Sequence, residues 1–528
     1  MGVDTCLGGL QLIEAEFIAV RKRGFLNVSV GHRGTRWGFL EISTMLHQRR
    51  RRFWCGILAC AQEHGFWHDA AIHASLHRVS VHILLYLSPP LSNRFLEVEQ
   101  PFCKLLNCCI VLPEASALCW STIFLQRSIV KITGVRTIHF APFANITFLE
   151  LTTDSGIVGL GETYYTPRSV TAYIGEVLTP LLLESDPRQI EAFWRRAYEN
   201  SHIYGNKGLE MRCLSAVDVA LWDILGQELG RPIWQLLGGT SNPEGVPVYN
   251  TCASAGYGQK APDISRKVNT AATGTYQDFE AWQPGGDAGE LARSLLDMGI
   301  RAMKIWPFDR FALANHGQTI SFAEIEEGLQ PWRQVRDAVG LEMDIILEGH
   351  GYWALQPARR IAEALEPYKP VLLEDLMKPD NPRTLAKLRS STRTPICASE
   401  LLMNRYAVEE MLRADACDVV MTDVTWAGGI TESRKTADMA ETNNMGVIFH
   451  DCTGPVTLAA SLHLAAHATN TWMQEIVRAF TLGFYLELVD HPFVVENGRM
   501  QPPQRPGLGV ALKPEALDRD DCRITDLV

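Results

Sequence analysis

The chain has 528 residues, 46% hydrophobic and 21% charged, an ordinary globular composition with room for two or three domains. Its formal net charge of -11 argues against nonspecific nucleic-acid binding, which needs a cationic excess, but leaves an anionic small molecule open if a metal supplies local positive charge. Of 13 cysteines, the last six, Cys213, Cys252, Cys397, Cys417, Cys452 and Cys522, show no paired spacing and read as buried small side chains of a reduced, cytoplasmic protein.

Residues 1–128 combine an Arg49–Arg52 run, scattered His and Cys, and a Pro89-Pro90 break, with no sustained helical or strand periodicity; they read as an extension of unknown structure. Cys55, Cys60, His64 and His68 invite a zinc reading, but too few residues separate Cys60 from His64 for a finger, so no metal is expected there. The stretch 105–125 has the length of a bilayer span, yet Pro113 and Glu114 sit at its centre, and Asp4, Glu14 and Glu16 interrupt any leader-like apolar run. No membrane partner is expected.

From Ile129 the pattern becomes regular. Segments 135–140, 146–151 and 157–161 alternate around turn signals such as Thr153-Asp154-Ser155-Gly156 and predict an antiparallel meander. Helices are expected over 170–183, 187–198 and 211–229, giving an α+β domain over 129–245.

The second half repeats. Glu348, Glu374, Glu400, Asp423, His450 and Glu475 recur at intervals of 26, 26, 23, 27 and 25 residues, most of them preceded by a short apolar run such as Ile345-Ile346-Leu347 or Val447-Ile448-Phe449. A strand, a helix and two loops use about this many residues in a βα barrel, so each side chain falls at the end of a successive strand and faces one mouth. With runs near 246–249, 302–305, 395–396 and 472–473, eight strands are accounted for in a domain over 246–480. Residues 481–528 are expected to pack back toward the α+β domain. The segment 256–286, rich in Gly, Thr, Ala and Gln, is long for a βα loop and reads either as a lid or as a disordered insertion.

Several pieces, in this order and spacing, carry a family resemblance: Ser215-Ala216-Val217-Asp218-Val219-Ala220-Leu221-Trp222-Asp223, Glu348-Gly349-His350, Glu374-Asp375, Ser399-Glu400, Asp423 followed by Gly428-Gly429, and His450. From about residue 129 onward the chain resembles the enolase superfamily, and within it the mandelate racemase group. The resemblance implies an α/β fold, a modified TIM (β/α)-barrel with an N-terminal α+β capping domain, and a symmetric homo-oligomer.

The resemblance also assigns roles. It makes Glu348, Glu374 and Glu400 the carboxylates that bind one Mg²⁺ per active site, hard oxygen ligands suited to that ion. It makes His450 a base oriented by Asp423, and Glu475 a carboxylic acid that, if protonated, donates a hydrogen bond to the substrate carboxylate. Where many relatives have Lys-x-Lys on the second strand, this chain has Lys304-Ile305-Trp306, and an indole takes no proton from carbon. One base serves elimination better than racemisation, so the implied reaction is removal of the α-proton and loss of the β-hydroxyl of a sugar acid, giving a 2-keto-3-deoxy acid. Lys304 becomes an electrostatic partner. Trp306, His350, Tyr164, Tyr165, His202 and Tyr204 are expected to contact substrate, the last four from capping-domain loops. A racemase or epimerase, and a noncatalytic protein keeping the fold, are the alternatives.

Overall fold

The computed structural model describes residues 15–22, 25–32, 35–42, 130–258 and 275–528. The chain divides into two units, Met1–Leu125 and Gln126–Val528. Among the described residues no helix is long and apolar enough to cross a membrane.

In the first unit β1 (Ala15–Lys22), β2 (Phe25–His32) and β3 (Thr35–Ile42) form an antiparallel sheet in that order. This corrects the expectation of no strand periodicity there. The signal is present: Leu26, Val28 and Val30 alternate with Asn27 and Ser29, and the strands are separated by Arg-Gly pairs at 23–24 and 33–34, the spacing of a tight hairpin. It is short, and the Arg- and Cys-rich sequence beyond it obscures it. The Cys55, Cys60, His64 and His68 group and the stretch 105–125 lie outside the described residues.

In the second unit β4 (Ile132–Phe140), β5 (Ile146–Thr153) and β6 (Val158–Tyr164) form the expected meander, and β17 (Cys522–Asp526) adds antiparallel to β4, giving the order β17-β4-β5-β6. Helices α1 (Ile190–Ser201) and α2 (Leu209–Leu229) follow, α2 packing directly onto β6. Two glycines make that approach possible: a Cβ at Gly161 would stand 2.0 Å from the Ala216 carbonyl oxygen and one at Gly159 2.3 Å from that of Ala220. Any side chain there forces helix from sheet at a cost of about 1–3 kcal/mol or more.

Eight parallel strands form the barrel: β7 (Val246–Thr251), β8 (Ala302–Ile305), β9 (Asp344–Glu348), β10 (Leu372–Glu374), β11 (Ile396–Ala398), β12 (Val419–Thr422), β13 (Gly446–Phe449) and β14 (Thr471–Ile476). Pairing of β14 with β7 closes it, Gln474 opposite Val248. Helices α3 (Ala288–Asp297), α4 (Gln330–Val339), α5 (Leu355–Leu365), α6 (Pro382–Arg389), α7 (Arg405–Arg413), α8 (Gly429–Thr442) and α9 (Pro455–His467) follow strands β7 to β13. After β14 come short helices, the hairpin of β15 (Val495–Glu496) and β16 (Arg499–Met500), whose β16 adds antiparallel to β7, and finally β17.

Each barrel strand splits its side chains between two cores, as period-two alternation requires. Tyr249, Ala302, Ile346, Leu372, Cys397, Val419, Met421, Ile448 and Met473 form one buried cluster inside the barrel, while neighbours such as Ile345, Leu347, Leu373 and Phe449 join the larger core outside it. Part of the long segment after β7 is ordered: Asp278, which opens the short helix Asp278–Trp282, accepts from Arg478 at 2.7 and 2.8 Å and from Asn250 at 3.0 Å. Residues 259–274 of that segment lie outside the described residues.

The sheet, helices and barrel core just described all belong to Gln126–Val528. A fragment with these bounds is expected to fold alone and unfold in one cooperative thermal transition, followed by circular dichroism; a noncooperative melt, or aggregation of the fragment under conditions where the full chain is soluble, counts against this.

Candidate active site

The inward register decides which side chains reach the mouth. Two residues beyond the apolar layer, on the same strand face, come Thr251 after Tyr249, Lys304 after Ala302, Glu348 after Ile346, Glu374 after Leu372, Asp423 after Met421, His450 after Ile448 and Glu475 after Met473. Ser399 holds the corresponding place after Cys397, and Glu400 is the next residue.

These residues enclose one ammonium group. Lys304 Nζ donates to Glu374 Oε1, to Glu475 Oε1 at 2.8 Å and lies 3.3 Å from Glu348 Oε2, all four side chains being buried. Glu475 also accepts from the Thr251 hydroxyl and from the Asp451 amide at 3.2 Å. The nearby Arg478 takes no part, because it is bound to Asp278. Across the mouth His450 Nδ1 stands 2.7 Å from Asp423 Oδ2, and Thr425 donates twice to Asp423 Oδ1, at 2.8 Å from its amide and 2.9 Å from its hydroxyl. The carboxylate is thereby fixed, Nδ1 carries the proton, and Nε2 faces the mouth 3.7 Å from Glu475 Oε2.

Charge sets the protonation of the cluster. Burial alone lowers a histidine pKa, but the Glu475 charge and the hydrogen bond to Asp423 outweigh it and raise His450 to about 9. Lys304 is pulled down by burial and held well above its usual value by Glu374 and Glu475, so it stays an ammonium ion. Burial pushes Glu374 well up against the pull of Lys304, whereas in Glu348 the burial effect is overcome by the His350 and Lys304 charges, which hold it down to about 2. Glu475 is also lowered: burial raises it, but Lys304 and His450 more than compensate. In this arrangement Glu475 is therefore the ionised partner of Lys304 rather than a protonated donor.

Among the described residues no three His, Cys, Asp or Glu side chains are gathered in metal-cage geometry. The donor chemistry nonetheless fits a hard divalent cation. Glu374 Oε2 and Glu400 Oε2 are buried without a hydrogen-bond partner, as is Oδ1 of the neighbouring Asp375, and such acceptors are costly unless a cation meets them.

The mouth opens into a cavity of about 70 Å³. Tyr164, Tyr165, Trp306 and His350 line it together with Lys304, Glu348, Glu400, His450 and Glu475. His202 and Tyr204 do not: both are exposed, and the Tyr204 hydroxyl meets that of Tyr173 at 3.3 Å. The loop that carries them follows α1 and touches the barrel side through Asn206, whose carbonyl accepts from Asn404 at 3.2 Å, but these two side chains stay outside the cavity. The lining also includes Thr251, Tyr257, Trp426 and Cys452, which sequence reasoning did not single out. Thr251 is legible in retrospect from the inward register. Tyr257 and Trp426 lie on loops, where no period places them. His350 is held between two partners, Asp309 Oδ2 at 2.5 Å from Nδ1 and the Tyr257 hydroxyl at 3.0 Å from Nε2.

Barrel and cap together define a two-part α/β scaffold with its chemistry at the carboxyl ends of the strands. The model of the mandelate racemase / muconate lactonizing enzyme N-terminal domain matches residues 127–238, and that of the enolase C-terminal domain-like family matches 287–516. A crystal structure of an enolase of the mandelate racemase subgroup from Agrobacterium tumefaciens superposes with a TM-score of 0.66 at 38% identity, covering 75% of this chain and 98% of that one. Among curated relatives, the arabinonate dehydratase of Saccharolobus solfataricus is 27% identical over 77% of this chain and 97% of its own length. The D-galactonate dehydratase of Ralstonia nicotianae is 29% identical over 74% and 93%. The chain belongs to the enolase superfamily, in its mandelate racemase group.

The raised His450 pKa gives a testable sign. Its contribution to stability is full below the ordinary histidine value of 6.5 and is lost as the pH rises through about 9. Asp423→Asn removes the charged acceptor, so NMR titration of the His450 imidazole in the metal-free protein is expected to move downward in that variant; an unchanged midpoint denies the pairing.

Proposed function

We propose that the protein is a Mg²⁺-dependent dehydratase of a sugar acid, taking the proton from the carbon beside the carboxylate and expelling the β-hydroxyl to leave a 2-keto-3-deoxy acid. The observation that carries the reading is the asymmetry of the mouth: one oriented Asp423–His450 pair stands on one wall, and the second strand presents Trp306 and an ammonium locked among carboxylates. The named dehydratase relatives support the same reaction class.

Each residue then has a task. The neutral form of His450, the minority form below about pH 9 in the metal-free site, accepts the α-proton at Nε2 while Asp423 keeps Nδ1 protonated and stabilises the imidazolium that forms. The C–H electron pair moves onto the carboxylate as an enediolate, where the Lys304 ammonium faces the growing charge. Glu348, Glu374 and Glu400 would hold Mg²⁺, which when bound supplies Lewis-acid stabilisation of that charge. As the enediolate collapses, the β-carbon–oxygen bond breaks, His450 returns its proton to the departing hydroxyl as water, and the enol tautomerises to the ketone. Glu475 keeps Lys304 and the Asp451 amide in place.

A racemase needs a second base on the opposite face. Lys304, held protonated by Glu374 and Glu475, does not supply one.

Excess chelator is expected to abolish 2-keto-acid formation from a panel of sugar acids, and Glu374→Gln to weaken activation by Mg²⁺ severely; full turnover in chelator refutes the metal requirement. Separately, His450→Asn is expected to lose about 10²–10⁴-fold in both dehydration and α-hydrogen exchange in deuterated water, the usual weight of a general base, while still binding Mg²⁺. Lys304→Met is expected to slow turnover by about 10²–10³-fold, as loss of an oxyanion donor does. Exchange that survives in His450→Asn and disappears only when Lys304 is also replaced assigns the base to Lys304 and reopens the racemase.

A further inference from the structure

The Asp423–His450 pair is tied to the cap by a chain of hydroxyl groups. Glu162, near the end of β6, stands against the first turn of α9, accepting from the Val456 amide at 3.0 Å and meeting the Thr457 hydroxyl. A Cβ at Gly454 would lie 2.4 Å from its Oε1, so the carboxyl group fits only because a glycine is there. Thr457 Oγ1 lies 2.9 Å from Thr425 Oγ1, which lies 2.9 Å from Asp423 Oδ1, and the other oxygen of Asp423 holds His450 Nδ1. The next residue of β6, Thr163, donates from its hydroxyl to the Thr425 carbonyl oxygen at 2.9 Å, so the cap grips Thr425 from two sides. Glu162, Thr457, Thr425 and Asp423 are all fully buried.

The chain is one proton short. Three links join Glu162 to Asp423, and each needs a hydrogen between its two oxygens, but the two hydroxyls bring only one hydrogen each. With both carboxyl groups ionised, Thr457 donates to Glu162 and Thr425 to Asp423, and the threonine oxygens face each other at 2.9 Å with only lone pairs between them. A proton on Glu162 fills the chain: Glu162 donates to Thr457, Thr457 turns to donate to Thr425, and Thr425 keeps its bond to Asp423. Asp423 has no room for that proton, because it already accepts from the Thr425 amide and hydroxyl on one oxygen and from His450 on the other.

The surroundings favour the proton at Glu162. Burial pushes its carboxyl up to about 8 against the pull of the Thr457 and Val456 hydrogen bonds, and the Asp423 charge adds to the rise. Asp451 and Tyr485 face it from the barrel side and Tyr164 from its own strand, and among the described residues it has no ion-pair partner. At the other end of the chain Glu475 and Glu400 face His450, and Arg212 faces Asp423. We infer that Glu162 is a positioning residue for the base: in its protonated form it polarises the Thr457–Thr425 chain toward Asp423 and so fixes the carboxylate that orients His450. Each donor in such a chain strengthens the next. The inference rests on the dehydratase reading for the reaction that His450 serves, but the chain does not.

The test is NMR titration of the His450 imidazole in the full-length, metal-free protein, with sugar-acid turnover in Mg²⁺ measured beside it. Glu162→Gln keeps the chain filled at every pH, its amide donating to Thr457 and its carbonyl accepting from Val456, and is expected to lower the His450 midpoint by about 0.5–1 unit. In a Thr457→Val background, where the chain is interrupted, the same substitution is expected to lower it by less than half as much. Thr457→Val itself is expected to lower kcat near pH 7 by about 2- to 10-fold, the weight of one hydrogen bond, a larger loss than in Glu162→Gln. KM is expected to change little, because neither side chain lines the cavity. A Glu162→Gln shift of undiminished size in the Thr457→Val background means that the Glu162 charge acts through space, and overturns the relay. A midpoint unmoved by Glu162→Gln also overturns it, leaving Glu162 a clamp of cap on barrel, as does a kcat loss in Glu162→Gln equal to that in Thr457→Val. Should Thr457→Val fail to fold, Thr425→Val breaks the chain one link further on, and Thr425→Ser is expected to restore wild-type behaviour. A wild-type protein that turns over no sugar acid rejects the dehydratase reading and leaves the titration to decide this inference.

Discussion

The site depends on one geometric constraint: a strand turns every second side chain to the same face. Inside the barrel that face is apolar through one complete layer and becomes polar two residues further on, with an ionisable side chain in six strands out of eight, so that Lys304, Glu348, Glu374, Asp423, His450 and Glu475 arrive at one level with Thr251. A slip of one residue in any of these strands sends its functional group into the outer core and an aliphatic side chain into the mouth. The tight apolar layer beneath thus serves as the floor that keeps water out from below and the reference plane from which the polar groups are set.

What the mouth demands, the surrounding structure supplies by charge balance. Four carboxylates and one ammonium share a volume from which water is largely excluded, and breaking one such buried contact costs about 3–5 kcal/mol. Glu348, Glu374 and Glu475 meet Lys304, yet Glu374 and Glu400 each keep an oxygen without a partner. The cap is fixed over this cluster by its own polar contacts. Ser215 accepts from the Gly428 amide at 2.8 Å, Asp218 from the Thr431 amide at 3.0 Å, and Trp222 donates to the Thr431 hydroxyl at 2.9 Å, so that the cap's longest helix grips the first turn of α8. Glu162 does the same for α9, accepting from the Val456 amide at 3.0 Å and from the Thr457 hydroxyl. Acids at helix N-termini are favoured by the helix dipole and by its unpaired amides.

Those contacts explain what was legible in the sequence. The run from Ser215 to Asp223 stands out because nearly every polar residue in it has a docking partner, down to Asp223, which accepts from the Leu160 and Leu508 amides. The strand-end residues stand out because spacing alone puts them in register. Tyr257 and Trp426 were hidden for the opposite reason: each reaches the cavity through loop shape, which no local period encodes. The same limit explains His202 and Tyr204, whose aromatic, loop-like sequence fits a substrate lid but whose side chains are exposed and do not line the cavity. Asp309 was visible only as the residue after Trp306-Pro307-Phe308, and its pairing with His350 depends on how the helix after β8 begins.

The pairing of β17 with β4 bears on how the molecule is made. The cap's first strand waits for a partner some 380 residues further along the chain, with the whole barrel between them. During synthesis β4 therefore emerges as an open edge, able to bond any extended segment it meets. Its closure, a contact of very high sequence separation, is among the slowest to form. The ribosome thus releases a nearly finished barrel beside a cap whose sheet is still one strand short, and in that interval nascent copies are most exposed to pairing with one another.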